Sequence, residues 1–261
     1  MRVMDLFSGI GGFSLGLKRA GGFRTVAYCE IDPYCQQVLQ ARMHDVSLDS
    51  APICTDVRAL DGGPWRGAVE VICGGFPCQD VSSAGKGAGL EGERSGLWSE
   101  LHRVIREVRP SYVIVENVSA LLFRGLGRVL GELAEIGYDA EWDVIPACAV
   151  GANHIRERVW IVAYPNGEGE PQPQGGQQEQ RGRAGDGCKA VADPVRVHGR
   201  RYLREWVDEA ARSSWWASEP AVGRMANGVP RRLDRISALG NSVVPQVVEW
   251  IGRRIVERHE S

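Results

Sequence analysis

Cys78 stands in the stretch Gly74-Gly75-Phe76-Pro77-Cys78-Gln79-Asp80-Val81-Ser82-Ser83-Ala84-Gly85, just after the apolar run Val69 to Cys73. The run reads as a buried strand that ends in a tight turn. Two glycines and a proline then hold a thiol beyond the strand's carboxyl end, where ligands bind in open α/β sheets. A cysteine in such a turn is either an inert buried side chain or a nucleophile. The choice depends on what else converges on it.

Three stretches bear on that choice. Asp5-Leu6-Phe7-Ser8-Gly9-Ile10-Gly11-Gly12 is a glycine-rich turn between a strand and a helix, which lets backbone N–H groups approach a ligand closely. Glu30 ends the second strand about twenty residues on, where a carboxylate can bind ribose hydroxyls. The pattern departs from the full dinucleotide fingerprint, because Ser14 and Leu15 occupy the region of a third glycine. Glu116, in Val115-Glu116-Asn117-Val118, closes an apolar strand and is either a helix cap or a site acid. Arg156 and Arg158 alternate along His154-Ile155-Arg156-Glu157-Arg158. Strand geometry would put both guanidinium groups on one face, toward an anion or polar base or in a surface ladder of ion pairs. A nucleophile and an acid facing a nucleoside-like cofactor point to covalent group transfer.

Positioning these groups takes a particular scaffold. Val3–Phe7, Thr25–Glu30, Ile53–Thr55, Val69–Cys73, Tyr112–Asn117, Glu141–Ile145 and Val159–Ala163 read as strands. Gly12–Ala20, Asp32–Met43, Leu97–Val108 and Leu126–Ile136 read as helices, with Asp32-Pro33 as a start and Gly137 as a stop. The alternation predicts an α/β fold with a mostly parallel, doubly wound sheet. In a parallel order Phe7, Glu30, Cys78 and Glu116 all emerge along one edge. After Ala163 the character changes. Asn166 to Gly187 has almost nothing to bury and predicts a flexible loop, and Val191 to Gly223 reads as a small appended module. Leu239-Gly240-Asn241-Ser242-Val243-Val244-Pro245 then leads into a helical run, Gln246 to Glu257. The expected division is 1–163 for catalysis and cofactor, 164–238 for recognition, and 239–261 returning to the first domain.

The 261 residues, 43% of them hydrophobic, suffice for a sizeable core, and no apolar run is long enough to span a membrane. The first residues read as a strand, not as a secretory signal. Seven scattered cysteines without a Cys-x-x-Cys pair predict no disulfide framework and no metal site, so a cytoplasmic protein is expected. The formal charge of −2 is unevenly spread. Residues 1–180 hold 16 Lys+Arg against 23 Asp+Glu, whereas residues 181–261 hold 15 against 10. A basic last third is either a solvated face or a contact for a polyanion.

Taken together, the ordered stretches resemble the cytosine-C5 DNA methyltransferases over most of the chain. They are Asp5 to Gly12, Glu30, Gly75-Phe76-Pro77-Cys78-Gln79, Glu116-Asn117-Val118, Arg156-Glu157-Arg158 and Gly240-Asn241-Ser242. The chain departs from the family in having His154 where a Gln is usual, and in a poor match over Arg224 to Pro230. It looks like a compact bacterial or phage-like member.

The resemblance implies a Rossmann-like domain that uses S-adenosylmethionine, with a small target-recognition region. Phe7, Ser8, Gly9, Gly11, Gly12, Glu30, Ile31, Asp56, Val57, Pro77, Leu97, Asn241 and Ser242 would form the cofactor site. Cys78 would attack C6 of a cytosine, Glu116 would meet the base's N3/N4 edge, and Arg158 would hold the base. Arg156 would support the Cys78 environment or a nearby phosphate. The substrate would be double-stranded DNA, its target base flipped out of the stack. The glycine-rich stretch Ser82 to Arg94 would act as a lid, and Ser82, Lys86, Arg94, Arg200, Arg201, Arg204, Arg231, Arg232 and Arg235 would contact DNA. A monomer is expected, with a cognate restriction endonuclease as a candidate partner. A tRNA cytosine methyltransferase shares the same core and is the enzymatic alternative; a non-catalytic DNA-binding module is the other.

Overall fold

Arg2–Leu6 form β1, an inner strand of a seven-stranded sheet in the computed structural model. The structure describes residues 1–77, 96–152, 154–167 and 232–260. Cys78, Ser82, Lys86, Arg94, Arg200, Arg201, Arg204 and Arg231 lie outside the described residues, as does most of the expected recognition region. The side chains of Arg232 and Arg235 also lie outside what is described.

The other strands are β2 (Arg24–Cys29), β3 (Ile53–Cys54), β4 (Val71–Gly74), β5 (Tyr112–Val118), β6 (Tyr138–Pro146) and β7 (Glu157–Pro165). Their order is β3-β2-β1-β4-β5-β7-β6. The first five pair in parallel, and β7 runs antiparallel between β5 and β6. The strand order reverses between β1 and β4, which opens a crevice at their carboxyl ends.

Alternation along the central strands feeds two cores. Met4, Leu6, Ile72, Val113 and Val115 face one layer, and Val3, Val71, Cys73 and Ile114 face the other. Helices α3 (Gly96–Val108) and α5 (Leu126–Glu135) cover the first face with Trp98, Leu101, Ile105, Val129 and Leu133. Helices α1 (Gly12–Ala20) and α7 (Pro245–His259) cover the second with Phe13, Leu17, Val247, Val248, Ile251 and Ile255. The last helix thus returns to lie on the first one. It does so closely, because a Cβ on Gly16 would meet the Pro245 carbonyl and come within 2.5 Å of Val248 Cβ.

Helix α2 (Pro33–His44) begins as its sequence predicts, with Asp32 accepting the N–H groups of Tyr34 and Cys35 and Pro33 in the first turn. A short helix α4 (Leu121–Arg124) follows β5, and α6 (Arg232–Asn241) precedes α7. Leu239-Gly240-Asn241 form the last turn of α6. Among the described residues no helix is long and apolar enough to cross a membrane.

Candidate active site

The carboxyl ends of β1, β2, β4 and β5 open into one cleft of about 590 Å³, within the range of small-molecule sites. Its floor is the turn after β1. Phe7, Gly9 and Gly11 all adopt left-handed backbone conformations, with φ of 53°, 53° and 84°. Such a run is tolerable for glycine and uncommon for phenylalanine. The turn is tied down by Ser8, whose hydroxyl donates to the Asp5 carbonyl at 2.6 Å and accepts the Cys29 N–H at 3.1 Å.

Glu30 closes this floor. Its Oε2 accepts the Gly9 N–H at 2.6 Å, and its Oε1 accepts the Asp32 N–H at 2.8 Å. The carboxylate is held by two backbone donors and keeps lone pairs for a ligand diol. Beyond it, Asp56 and Val57 begin a 3₁₀ turn, and Phe7, Val57, Phe76 and Leu97 supply apolar walls. Arg58 grips the Asp56 carboxylate through Nε and Nη2 at 3.0 and 2.9 Å.

The other end of the cleft is built by β4, β5 and β7. Gly74 and Gly75 let the chain pass where a side chain would not fit. A Cβ on Gly74 would lie 2.6 Å from the Leu6 carbonyl oxygen, and one on Gly75 would lie 3.2 Å from Glu116 Oε2. Asn117 Nδ2 donates to the Phe76 carbonyl at 3.2 Å, fastening the turn that leads to Pro77. Glu116 is buried at 7% exposure, and Arg158 Nε stands 3.1 Å from its Oε1. The contact is close but poorly aligned, and Oε1 makes no directed hydrogen bond. Burial pushes the Glu116 carboxyl up to about 7, against the opposing pull of Arg158 and Arg156. Near neutral pH this acid is therefore divided between its protonated and ionised forms, beside a cation.

The family model for C-5 cytosine-specific DNA methylase matches residues 1–205. The chain belongs to that family. Among curated relatives, a Type II methyltransferase of Bacillus subtilis is 33% identical, over 62% of this chain and 42% of its own length. One from Escherichia coli is 36% identical, over 63% and 39%. A third, from Neisseria lactamica, is 31% identical over 74% and 61%. The chain thus spans less than half the length of the first two. A solved structure described as a DNA modification methyltransferase of an E. coli prophage superposes with a TM-score of 0.51 at 26% identity, over 63% of this chain and 47% of that one. The DNMT2 of Spodoptera frugiperda, at 20% identity, shares the fold with a TM-score of 0.54, over 66% of this chain and 52% of its own.

In this methylase-family chain the cleft brings together Phe7, Gly9, Glu30, Ile31, Asp56, Val57, Pro77, Leu97 and Asn241 with Glu116, Arg156 and Arg158. Ser8, Gly11, Gly12 and Ser242 are not on its lining. Gly11 turns where a Cβ would strike Leu48, and Gly12 does so where one would strike Val243 and Ser242. Arg156 precedes β7 and lines the cleft as Arg158 does; it has φ of 31° and donates Nη1 and Nη2 to the carbonyls of Gly240 and Ser242 at 2.8 and 2.7 Å.

Cys29, Asp32, Cys35, Arg58 and Ser237 line the cleft without having been singled out from sequence. Cys29 and Asp32 flank Glu30, so their proximity was the available signal. Ser237 carried none. Among the described residues no three His, Cys, Asp or Glu side chains are grouped to hold a metal ion.

Proposed function

We propose that the protein transfers a methyl group from S-adenosylmethionine to C5 of a cytosine in a short duplex DNA sequence. The observation that carries the reading is that one cleft joins two unlike ends. One end has the anchored Glu30 side chain beside apolar walls, and the other has the buried Glu116 beside Arg158.

The donors present fit the cofactor. Glu30 would accept from the ribose hydroxyls, Asp56 and Val57 would meet the adenine, and Phe7, Phe76 and Leu97 would enclose it. Pro77, Leu97 and Asn241 would complete the wall. When bound, S-adenosylmethionine supplies an electrophilic methyl group for C5.

The chain's own residues supply the rest. Cys78 directly follows Pro77 in the chain, and its thiolate would bond to C6 of the cytosine, raising electron density at C5. Glu116 would give its proton or a hydrogen bond to N3, relieving the charge that attack places on the ring. Arg158 would hold the base while keeping Glu116 oriented. Loss of the C5 proton to solvent, breakage of the Sγ–C6 bond and return of the N3 proton to Glu116 then restore the thiolate, the aromatic ring and the acid. A cytosine inside a duplex cannot reach this cleft, so the base must flip out. Arg231, Arg232 and Arg235 remain candidates for phosphate contacts, and a cognate endonuclease remains a candidate partner.

Labelled-methyl transfer to duplex DNA and to tRNA, compared side by side, tests the proposal. Incorporation into DNA, together with covalent trapping on duplexes containing 5-fluorocytosine, is expected. Incorporation into tRNA alone would overturn the substrate, and cofactor binding without trapping on either would overturn the enzymatic reading.

A further inference from the structure

Arg156 joins two parts of the chain that sequence keeps apart. Its guanidinium fork reaches the carbonyls of Gly240 and Ser242, 84 and 86 positions away. Those carbonyls lie in the last turn of α6 and just past it, where intrahelical donors run out and the helix dipole favours a cation. Asn241 between them lines the cleft. The same segment also packs against the start of α1, because Gly12 sits where a Cβ would be 2.7 Å from Val243 and 2.9 Å from Ser242. Arg156 Nε is buried and makes no hydrogen bond, so the residue is turned to the carbonyls at a cost to its own solvation.

We propose that Arg156 is a positioning residue, a clamp that holds the Gly240–Ser242 segment as the far wall of the cofactor cleft. The inference rests on reading that cleft as the S-adenosylmethionine site. The clamp explains why an arginine is needed. Two parallel donors in a fixed plane span two carbonyls, whereas a lysine keeps the charge and loses the fork. It also divides the labour between neighbouring arginines. Arg158 faces Glu116, and Arg156 faces the C-terminal segment.

Arg156→Lys and Arg156→Ala in the full chain separate this role from catalysis. Amide hydrogen exchange without any ligand is expected to quicken over residues 240–247 in both variants, more in the alanine one. Direct titration with S-adenosylmethionine should weaken by about 10-fold or more in Arg156→Ala, the loss expected for charge-assisted hydrogen bonds. In Arg156→Lys, KM for S-adenosylmethionine should rise by a larger factor than kcat falls, with the pH profile in place because the charge is kept. Unchanged exchange over 240–247, or a fall in kcat with KM unmoved, would overturn the clamp. A wild-type chain that fails to bind S-adenosylmethionine would sink the cofactor reading instead, and the exchange measurement would still decide the clamp.

Discussion

Arg158 and Glu116 face each other at 3.1 Å across the β5–β7 ladder, yet the carboxyl is pushed up to about 7. Desolvation outweighs the neighbouring cation because the acid's side chain is 10% exposed while the arginine's retains 21% of its surface. The pair therefore combines a proton donor with a fixed positive charge. If the protonated form does the work, activity is full below about 7 and falls as pH rises through it.

Replacing Arg158 with Gln removes a cation that holds the Glu116 carboxyl down. The alkaline limb of kcat against pH should move upward, even though the rate itself drops with loss of the base contact. A Glu116→Gln chain should lose the limb altogether and fall about 10²- to 10⁴-fold in kcat, the usual worth of a general acid. A Glu116→Gln profile that still bends near 7 would assign the limb to another group.

Asp5 is the second buried acid, and it lies under the glycine turn. Its Oδ2 accepts the Ser14 hydroxyl at 2.6 Å, while Oδ1 has no hydrogen-bond partner. Burial raises the carboxyl from 3.8 to about 7, against the pull of the Ser14 hydrogen bonds and with a smaller push from Glu30. A group whose folded value is raised binds more protons when folded. Its stabilising effect is present below about 4 and is lost as pH rises to about 7. Asp5→Asn should therefore gain on the wild type, in denaturant midpoint, steadily across that window and level off above it. A constant difference from pH 4 to 8 would show that Asp5 does not titrate there.

Gly16 and Gly252 let α1 and α7 lie against each other, since a Cβ on Gly252 would come within 2.8 Å of Ala20 Cβ. At Gly16 the obstacle is the Pro245 carbonyl and the Val248 side chain, neither of which is a flexible end. Gly16→Ala should destabilise by about 1–3 kcal/mol, the cost of overpacking. The change should appear as a lower midpoint at unchanged denaturant slope. Because α7 follows Asn241, S-adenosylmethionine affinity should fall with it.

Most of the scaffold was legible because its signals are local. Asp32-Pro33 starts α2, Gly137 follows α5, and continuous apolar runs mark strands buried on both faces. The edge placement of Phe7, Glu30 and Glu116 followed from parallel order alone. The partners of Arg156, the carbonyls of Gly240 and Ser242, lie 84 and 86 positions away, so no local spacing could name them. The roles of Gly11 and Gly12 depend on Leu48 and Val243, contacts that no spacing within the turn reveals. Helix α6 escaped notice because its last turn, Leu239-Gly240-Asn241, has a glycine and an asparagine that favour chain ends.

Glu30 offers the sharpest test of the cofactor end. Both its oxygens already accept from backbone donors, Gly9 N–H and Asp32 N–H. Glu30→Gln turns one acceptor into an amide NH2 donor that must either confront an N–H or swing away. The change thus loosens the glycine turn and removes a charged acceptor from the cleft. Hydrogen bonds to charged groups are worth about 1.5–3 kcal/mol, so S-adenosylmethionine affinity should fall about 10- to 100-fold. The Glu116 limb near 7 should stay in place, because Glu116 answers to burial and to Arg158 and Arg156. Calorimetric titration with S-adenosylmethionine, set beside the pH profile of the same variant, measures both. Unchanged affinity would remove Glu30 from the cofactor site, whatever the fate of the turn.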